Sequence, residues 1–119
     1  MVRFAVILFT GLLVVMGLAP SASADDSRCP ANSFCLFQNV DYGGQREVFN
    51  LAGHAYCNLG DRGFNNRASS MINNMGREVI LEQFVDCGGG LTYSAAPHSV
   101  DSTFSNNNFN DRASAVIIR

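Results

Sequence analysis

A short polar stretch occurs twice in this chain, and this repeat constrains the fold more than any other feature. Residues 65–70 read Asn-Asn-Arg-Ala-Ser-Ser and follow Phe64. Residues 110–115 read Asn-Asp-Arg-Ala-Ser-Ala and follow Phe109, at an offset of 45 residues from the first copy. Two copies of one motif in a short chain indicate a duplicated structural unit.

A second pair of segments strengthens this interpretation. Residues 41–44 read Asp-Tyr-Gly-Gly, and residues 86–89 read Asp-Cys-Gly-Gly at the same offset of 45. A glycine-rich turn and an oxygen-rich loop therefore recur with the same 21-residue gap, from Gly43 to Phe64 and from Gly88 to Phe109. The sequence predicts a tandem duplication, and each unit carries one loop rich in oxygen ligands.

The N-terminus has the layout of a secretory signal peptide. A short positive start ends at Arg3, residues 4–18 are almost wholly apolar, and residues 22–24 read Ala-Ser-Ala. The apolar run is too short for a transmembrane anchor. We expect residues 1–24 to be removed, so that residues 25–119 form a single secreted, extracellular domain. N-terminal sequencing of the secreted protein tests the cleavage site.

The cysteine content suits an oxidising compartment. Four cysteines follow the predicted cleavage site: Cys29, Cys35, Cys57 and Cys87. An even number in a small secreted domain predicts two disulfides, for which three connectivities are possible. Cys29 and Cys35 are six residues apart and can close a tight local loop, which would leave Cys57 to pair with Cys87.

Several functional classes are disfavoured by composition. The segment 25–119 has seven arginines, no lysine and ten acidic residues, so neither a nucleic-acid surface nor a basic membrane-binding helix is expected. His54 and His98 lack zinc-ligand spacing, and no Cys-x2-Cys pair is present. The chain contains no Gly-x-Ser-x-Gly or His-Glu-x-x-His motif, so we expect a protein that is not an enzyme.

The apolar pattern predicts an all-β fold. Short apolar runs are interrupted by Gly, Asn, Asp and Ser about every ten residues. Strands are expected at residues 34–37, 45–49, 55–59, 70–72, 78–82, 91–93 and 115–118, with a polar connection over residues 94–108. Two Greek-key motifs, at about residues 29–75 and 76–119, would pack as a two-sheet sandwich.

These features resemble a known family. The strand, Gly-Gly turn and Asn/Asp-Asn/Asp-x-x-Ser/Thr-Ser loop look like the βγ-crystallin motif, present twice. The more particular match is to the secreted actinobacterial peptidase inhibitors typified by the Streptomyces metalloproteinase inhibitor. It rests on residues 29–39 (Cys-Pro-Ala-Asn-Ser-Phe-Cys-Leu-Phe-Gln-Asn), 42–44 (Tyr-Gly-Gly) and 59–70 (Leu-Gly-Asp-Arg-Gly-Phe-Asn-Asn-Arg-Ala-Ser-Ser). The resemblance implies a βγ-crystallin-like two-sheet sandwich.

The resemblance also implies two calcium sites at crossed loops. Carried over by position, the ligands would be Gln38, Asn66, Arg67, Ser69, Glu82, Asp111, Arg112 and Ser114. Asp111 is the one carboxylate at the leading loop positions, so we expect weak Ca²⁺ binding, near the millimolar end of extracellular modules. The alternative is a purely structural loop whose Asn, Asp and Ser side chains bond nearby backbone. Ala115 replaces a bracing serine, so the second loop is expected to be looser.

The function that the resemblance implies is inhibition of an extracellular protease, specifically a metalloprotease. We expect the protein to be a monomer. Candidate inhibitory loops are residues 54–61, containing Cys57, and residues 85–90, containing Cys87. A disulfide between these cysteines would hold both loops rigid and close together. The main alternative is a calcium-binding βγ-crystallin module with a structural or stress-related role and no protease target. A third is a secreted antimicrobial or cell-surface factor.

Overall fold

The computed structural model describes residues 25–119 and contains eight β-strands in two antiparallel sheets. The predicted signal peptide, residues 1–24, lies outside the described residues. The strands are β1 (Phe34–Phe37), β2 (Arg46–Phe49), β3 (Ala55–Tyr56), β4 (Ser70–Asn73), β5 (Val79–Glu82), β6 (Thr92–Ala95), β7 (Ser99–Asp101) and β8 (Ala115–Ile118). Within residues 25–119, no helix has the length and apolar character needed to span a membrane.

The two sheets exchange one strand each. The first sheet has the order β2-β1-β4-β7, and the second has the order β3-β8-β5-β6. The third strand of each half therefore pairs with the sheet of the other half: β3 pairs with β8, and β7 pairs with β4. The predicted all-β fold of two sheets is confirmed, and this exchange joins the halves through backbone hydrogen bonds.

The sequence prediction was wrong in the polar connection. Residues 94–108 were expected to lack strands, but β6 extends to Ala95 and β7 occupies Ser99–Asp101. β7 is an edge strand of three residues whose only apolar side chain, Val100, is exposed. Its pairing depends on backbone groups bonded to β4, so side-chain hydrophobicity gives no signal for it.

The core lies between the sheets and is dominated by phenylalanine. In β1, Phe34 and Leu36 point inward and are fully buried, as the two-residue period of a strand requires. Phe64 and Phe109, which precede the two repeated loops, are buried in the same core. Burial of each such side chain contributes roughly 1.5–3 kcal/mol, so these residues fix where each loop leaves the core.

Two disulfides are present. Cys29–Cys35 is buried on the outer face of the first sheet, with Phe37 and Ile72 beside it. Cys57–Cys87 is partly exposed and joins the segment after β3 to the turn between β5 and β6. The second bridge therefore tethers a strand contributed by the first half to a hairpin of the second half.

Candidate functional site: crossed loops and paired hairpins

The two repeated loops cross each other at equivalent positions. Asn66 and Asp111 both adopt left-handed backbone conformations, with φ of 54° and 55°. Asn and Asp tolerate this region better than most residues. The Asn66 N–H donates to the Ala113 carbonyl at 2.9 Å, and the Asp111 N–H donates to the Ala68 carbonyl at 2.9 Å. This reciprocal pair of bonds holds the loops together about an approximate two-fold axis.

Side chains cross in the same way. The Ser69 hydroxyl donates to Asp111 Oδ1 at 3.4 Å, and the Ser114 hydroxyl donates to Asn66 Oδ1 at 3.0 Å. Each serine therefore contacts the second-position side chain of the opposite loop. The structure brings these four predicted ligand residues together in pairs drawn from both halves.

Two cavities flank this crossing. The first, of about 320 Å³, is lined by Gln38, Asn39, Asn66, Arg67, Ser69 and Asp111. The second, of about 350 Å³, is lined by Asn66, Gln83, Phe84, Asn110, Asp111 and Arg112. Among the predicted ligands, Glu82 and Ser114 line neither cavity.

The position of Glu82 follows from the repeat. The equivalent of Gln38 at the 45-residue offset is Gln83, so Glu82 lies one residue before the cavity. The Glu82 carbonyl accepts a hydrogen bond from the Ser114 N–H at 2.8 Å. Glu82 and Ser114 therefore support the second loop through this backbone bond, and Gln83 rather than Glu82 lines the second cavity.

The donor set at the crossing consists of oxygen atoms with little charge. Asp111 is the one carboxylate that lines the cavities, and the described residues contain no cluster of three or more His, Cys, Asp or Glu side chains. In the first loop, Asn65 Oδ1 is buried without a hydrogen-bond partner, but Asn65 lines neither cavity. Amide, hydroxyl and carboxylate oxygens suit a hard cation such as Ca²⁺, and a single carboxylate implies weak binding.

The hairpin that follows the first strand of each half also occurs as a related pair. We call residues 38–45 the first hairpin and residues 83–91 the second hairpin. Both contain two consecutive left-handed residues: Asp41 and Tyr42 in one, Asp86 and Cys87 in the other. The Asp41 N–H donates to the Ser102 carbonyl at 2.8 Å, and the Asp86 N–H donates to the Cys57 carbonyl at 2.6 Å. The two turns are thus anchored alike.

The anchoring differs in its side chains. In the first hairpin, Tyr42 packs edge-on against Phe37 and lies under the Arg28 guanidinium, 4.0 Å from its carbon. Burial raises the pKa of the Tyr42 hydroxyl. The second hairpin has Cys87 at this position, bonded to Cys57. Because the first hairpin adopts the same turn without a disulfide, the turn itself does not require one.

A second difference lies at the entrance to each hairpin. A Cβ atom on Gly44 would approach Asn39 Nδ2 to 2.8 Å, and one on Gly90 would approach Phe84 Cδ2 to 2.9 Å. Asn39 and Phe84 therefore occupy the same place, each lying over a glycine with positive φ. The second hairpin is also one residue longer, since Gln38 bonds to Gln45 and Gln83 bonds to Leu91.

Because of these differences, the second hairpin exposes more apolar side chains to solvent than the first. The exposed fractions of Phe84, Val85 and Leu91 are 52%, 41% and 43%. In the first hairpin Val40 is the corresponding exposed apolar residue, at 49%. The other predicted inhibitory loop, residues 54–61, differs again: Leu59 is buried, and His54 packs edge-on against Tyr56 with the ring centroids 4.4 Å apart. Apolar side chains therefore concentrate on the second hairpin.

Comparison with protein families gives one assignment. A family model described as peptidase inhibitor family I36 matches residues 22–94. The matched segment includes both hairpins and the first repeated loop, and it ends before the second loop. No functionally curated protein matches the chain significantly.

Comparison with solved structures identifies the fold. A structure titled for the evolution of the eye-lens βγ-crystallin domain fold aligns with a TM-score of 0.68 at 17% identity, covering 76% of this chain and 89% of that one. A βγ-crystallin from Ciona intestinalis aligns at 0.63 and 22% identity, covering 73% and 99%. The N-terminal domain of protein S aligns at 0.61 and 21%, covering 73% and 94%. The predicted βγ-crystallin-like fold is confirmed.

Proposed function

Because the chain belongs to peptidase inhibitor family I36, we propose that it inhibits an extracellular metalloprotease by placing its second hairpin in the active-site cleft. Membership of the family makes the protein an inhibitor rather than an enzyme, with a protease as its partner. The two disulfides agree with an extracellular location. Secretion through residues 1–24 and a monomeric state form part of the proposal.

The observation that carries the choice of surface is the difference between the two hairpins. Duplication placed the same turn twice on one scaffold, and the first copy keeps Asn39 and Tyr42 with no disulfide. The second copy carries Phe84 and the Cys57–Cys87 bridge. The first hairpin folds without an exposed aromatic side chain and without a disulfide. The second hairpin has both, so neither feature is explained by the needs of the fold.

Both additions favour inhibition. An exposed phenylalanine and two aliphatic side chains can bury apolar area against a protease cleft, and aromatic anchors dominate many interfaces. The disulfide limits the conformations of the free hairpin, which reduces the entropy lost on binding. The backbone bonds from Gln83 to Leu91 and from Phe84 to Gly89 restrict it further.

An inhibition panel tests this proposal. Purified residues 25–119 are assayed against a thermolysin-like metalloprotease and a subtilisin-like serine protease. We expect an inhibition constant below about 1 μM for the metalloprotease, which corresponds to at least about 8 kcal/mol of binding. Absence of inhibition of both enzymes at micromolar protein would contradict the proposal. Inhibition of the serine protease alone would retain the inhibitor and overturn the metalloprotease assignment.

The crossed loops support a second candidate function, weak binding of Ca²⁺. The loops offer oxygen donors from both halves, since Asn66 and Ser69 of the first loop line one cavity together with Asp111 of the second. An ion held between the loops would add free energy of unfolding, because it would bind the folded chain alone. The one charged donor at the cavities, Asp111, would contribute most.

Calorimetry on chelator-treated protein tests the calcium site. We expect binding near the millimolar range and a melting temperature that rises with calcium concentration. Asp111→Ala should abolish most of the heat, whereas Asp61→Ala, which removes an exposed carboxylate elsewhere, should leave it unchanged. An absence of heat at millimolar calcium would leave the loops with a structural role only.

A further inference from the structure

We propose that Phe84 is the specificity-determining residue of the inhibitor, and that its side chain fills the main specificity pocket of the target protease. The target pocket is then apolar and deep enough for a phenyl ring. This inference rests on the proposed inhibitory role of the second hairpin and adds the side-chain preference of the partner.

The fold does not account for an aromatic ring at this position. Asn39 occupies the equivalent place in the first hairpin and covers Gly44 with the same close contacts that Phe84 makes with Gly90. An asparagine side chain is therefore sufficient to pack over the glycine at this position of the hairpin. The phenyl ring leaves 52% of the Phe84 surface in water and joins no buried cluster, so it adds little stability to the isolated domain.

The hairpin nevertheless holds this ring in a defined place. The Phe84 N–H donates to the Gly89 carbonyl at 3.1 Å, which fixes the backbone from which the side chain projects. One side of the ring lies against Gly90, where a Cβ atom would come within 2.9 Å of Cδ2 and 3.0 Å of Cε2. A side chain that is held on one side and exposed on the other is pre-organised to enter a pocket.

The side chains of the hairpin indicate the kind of pocket. Asp86 is the one charged residue of the second hairpin, while Asp111 and Arg112 line the cavity that Phe84 also borders. A protease whose pocket carries an aspartate selects basic side chains, whereas a hydrophobic slot selects aromatic ones. Val85 and Leu91 extend the exposed apolar surface beside Phe84. The exposed side chains of the hairpin therefore match an apolar pocket, and the hairpin itself carries no basic side chain that could enter an acidic one.

Three variants of the full secreted domain test the inference. Phe84→Asn gives the second hairpin the residue of the first, Phe84→Leu keeps an apolar side chain, and Val40→Ala is the control on the first hairpin. Inhibition constants are measured against thermolysin-like, subtilisin-like and trypsin-like proteases. Melting temperatures are measured for every variant.

We expect the wild type to inhibit enzymes with apolar pockets and not the trypsin-like enzyme. Phe84→Asn should raise the inhibition constant by about 30-fold or more, as expected for a hot-spot residue. Phe84→Leu should lose no more than about tenfold, and Val40→Ala should lose nothing. The melting temperatures should stay close to that of the wild type, because the scaffold accepts Asn at this place.

Other outcomes separate the two claims. If the wild type inhibits but Phe84→Asn inhibits equally well, Phe84 is not the specificity residue, while the inhibitory function stands. Tight inhibition of the trypsin-like enzyme would also contradict the inference that the specificity pocket of the target is apolar. If the wild type inhibits none of the three enzymes, the proposed function fails and this inference fails with it.

Discussion

At the residue scale, two adjacent buried amides hold the junction between the halves. Asn73 Nδ2 donates to the carbonyls of Arg77 and Ala96, each at 2.9 Å, and Asn73 Oδ1 accepts from the Met75 N–H at 3.0 Å. Asn74 Nδ2 donates to the carbonyls of Asp26 and Cys29 at 2.9 Å and 2.8 Å. One amide thus binds the second half and the other binds the N-terminal segment.

Substitution of Asn73 should therefore be costly. Asn73→Ala leaves several buried backbone groups without partners, so we expect the free energy of unfolding to fall by about 2–4 kcal/mol. Chemical denaturation measures this loss, and Asn106→Ala, an exposed amide, serves as the matched control. A loss below about 0.5 kcal/mol for Asn73→Ala, which is typical of surface positions, would show that these bonds are replaced by water.

A second residue gives a pH-dependent prediction. The Tyr93 hydroxyl donates to Asp101 Oδ2 at 2.6 Å, and burial together with this bond raises the pKa of Tyr93. A raised folded-state pKa stabilises the protein below the unfolded value of about 10 and loses that contribution as the pH rises above it. We expect the wild-type free energy of unfolding to fall above about pH 10 more steeply than that of Tyr93→Phe. Equal slopes in denaturation experiments would contradict this.

The candidate ligand residues at the crossed loops could be predicted from the sequence because they lie inside the repeat. The resemblance to the βγ-crystallin motif assigned Asn66, Ser69 and Asp111 by position, and the 45-residue offset relates the two copies. Phe84 could not be found in this way. Its equivalent is Asn39, and a difference between two copies becomes informative only when the shared geometry of the two hairpins is known.

At the scale of elements, the two disulfides differ in accessibility. The exposed fractions of Cys29 and Cys35 are 2% and 0%, whereas Cys57 and Cys87 are partly exposed. The accessible bridge lies at the second hairpin, and its counterpart in the first hairpin is the unbonded pair Tyr42 and Ser102. The first hairpin therefore shows that the turn forms without a disulfide, so the Cys57–Cys87 bridge can be opened without loss of the turn.

A dithiol reductant should consequently open Cys57–Cys87 before Cys29–Cys35. The reductant becomes a cyclic disulfide as two protein thiols form, and alkylation with mass spectrometry identifies them. The bridge spans 30 residues, so its loss should reduce the free energy of unfolding by about 3–4 kcal/mol. Retention of the sheet signal in circular dichroism is expected. First labelling of Cys29 and Cys35 would contradict the burial argument.

At the scale of the whole molecule, the exchange of β3 and β7 makes the two halves interdependent. The sequence predicted two Greek-key units but not this exchange, because the partner of a short edge strand is set by backbone pairing. The side-chain patterns of β3, which is short and apolar, and of β7, which is mostly polar, do not indicate which sheet each strand joins. Duplication is thus visible in the sequence, while the connection between the copies is visible only in the structure.

This exchange predicts that neither half folds alone. Residues 25–76 lack β7 and leave β3 without β8, so we expect that fragment to show no dispersed NMR spectrum. Mixing it with residues 77–119 should restore the dispersion, because all strand partners are then present. A folded, cooperative fragment of residues 25–76 would show that the exchange is not needed for stability.

We propose above that the second hairpin makes this βγ-crystallin scaffold an inhibitor. The most direct measurement replaces residues 83–91 with the sequence of residues 38–45, together with Cys57→Ser, and compares its inhibition constant with that of the wild type. We expect a folded domain, with an intact Cys29–Cys35 bridge, that inhibits the protease about 100-fold or more weakly than the wild type. Undiminished inhibition by this folded variant would place the inhibitory surface elsewhere and contradict a role for the second hairpin.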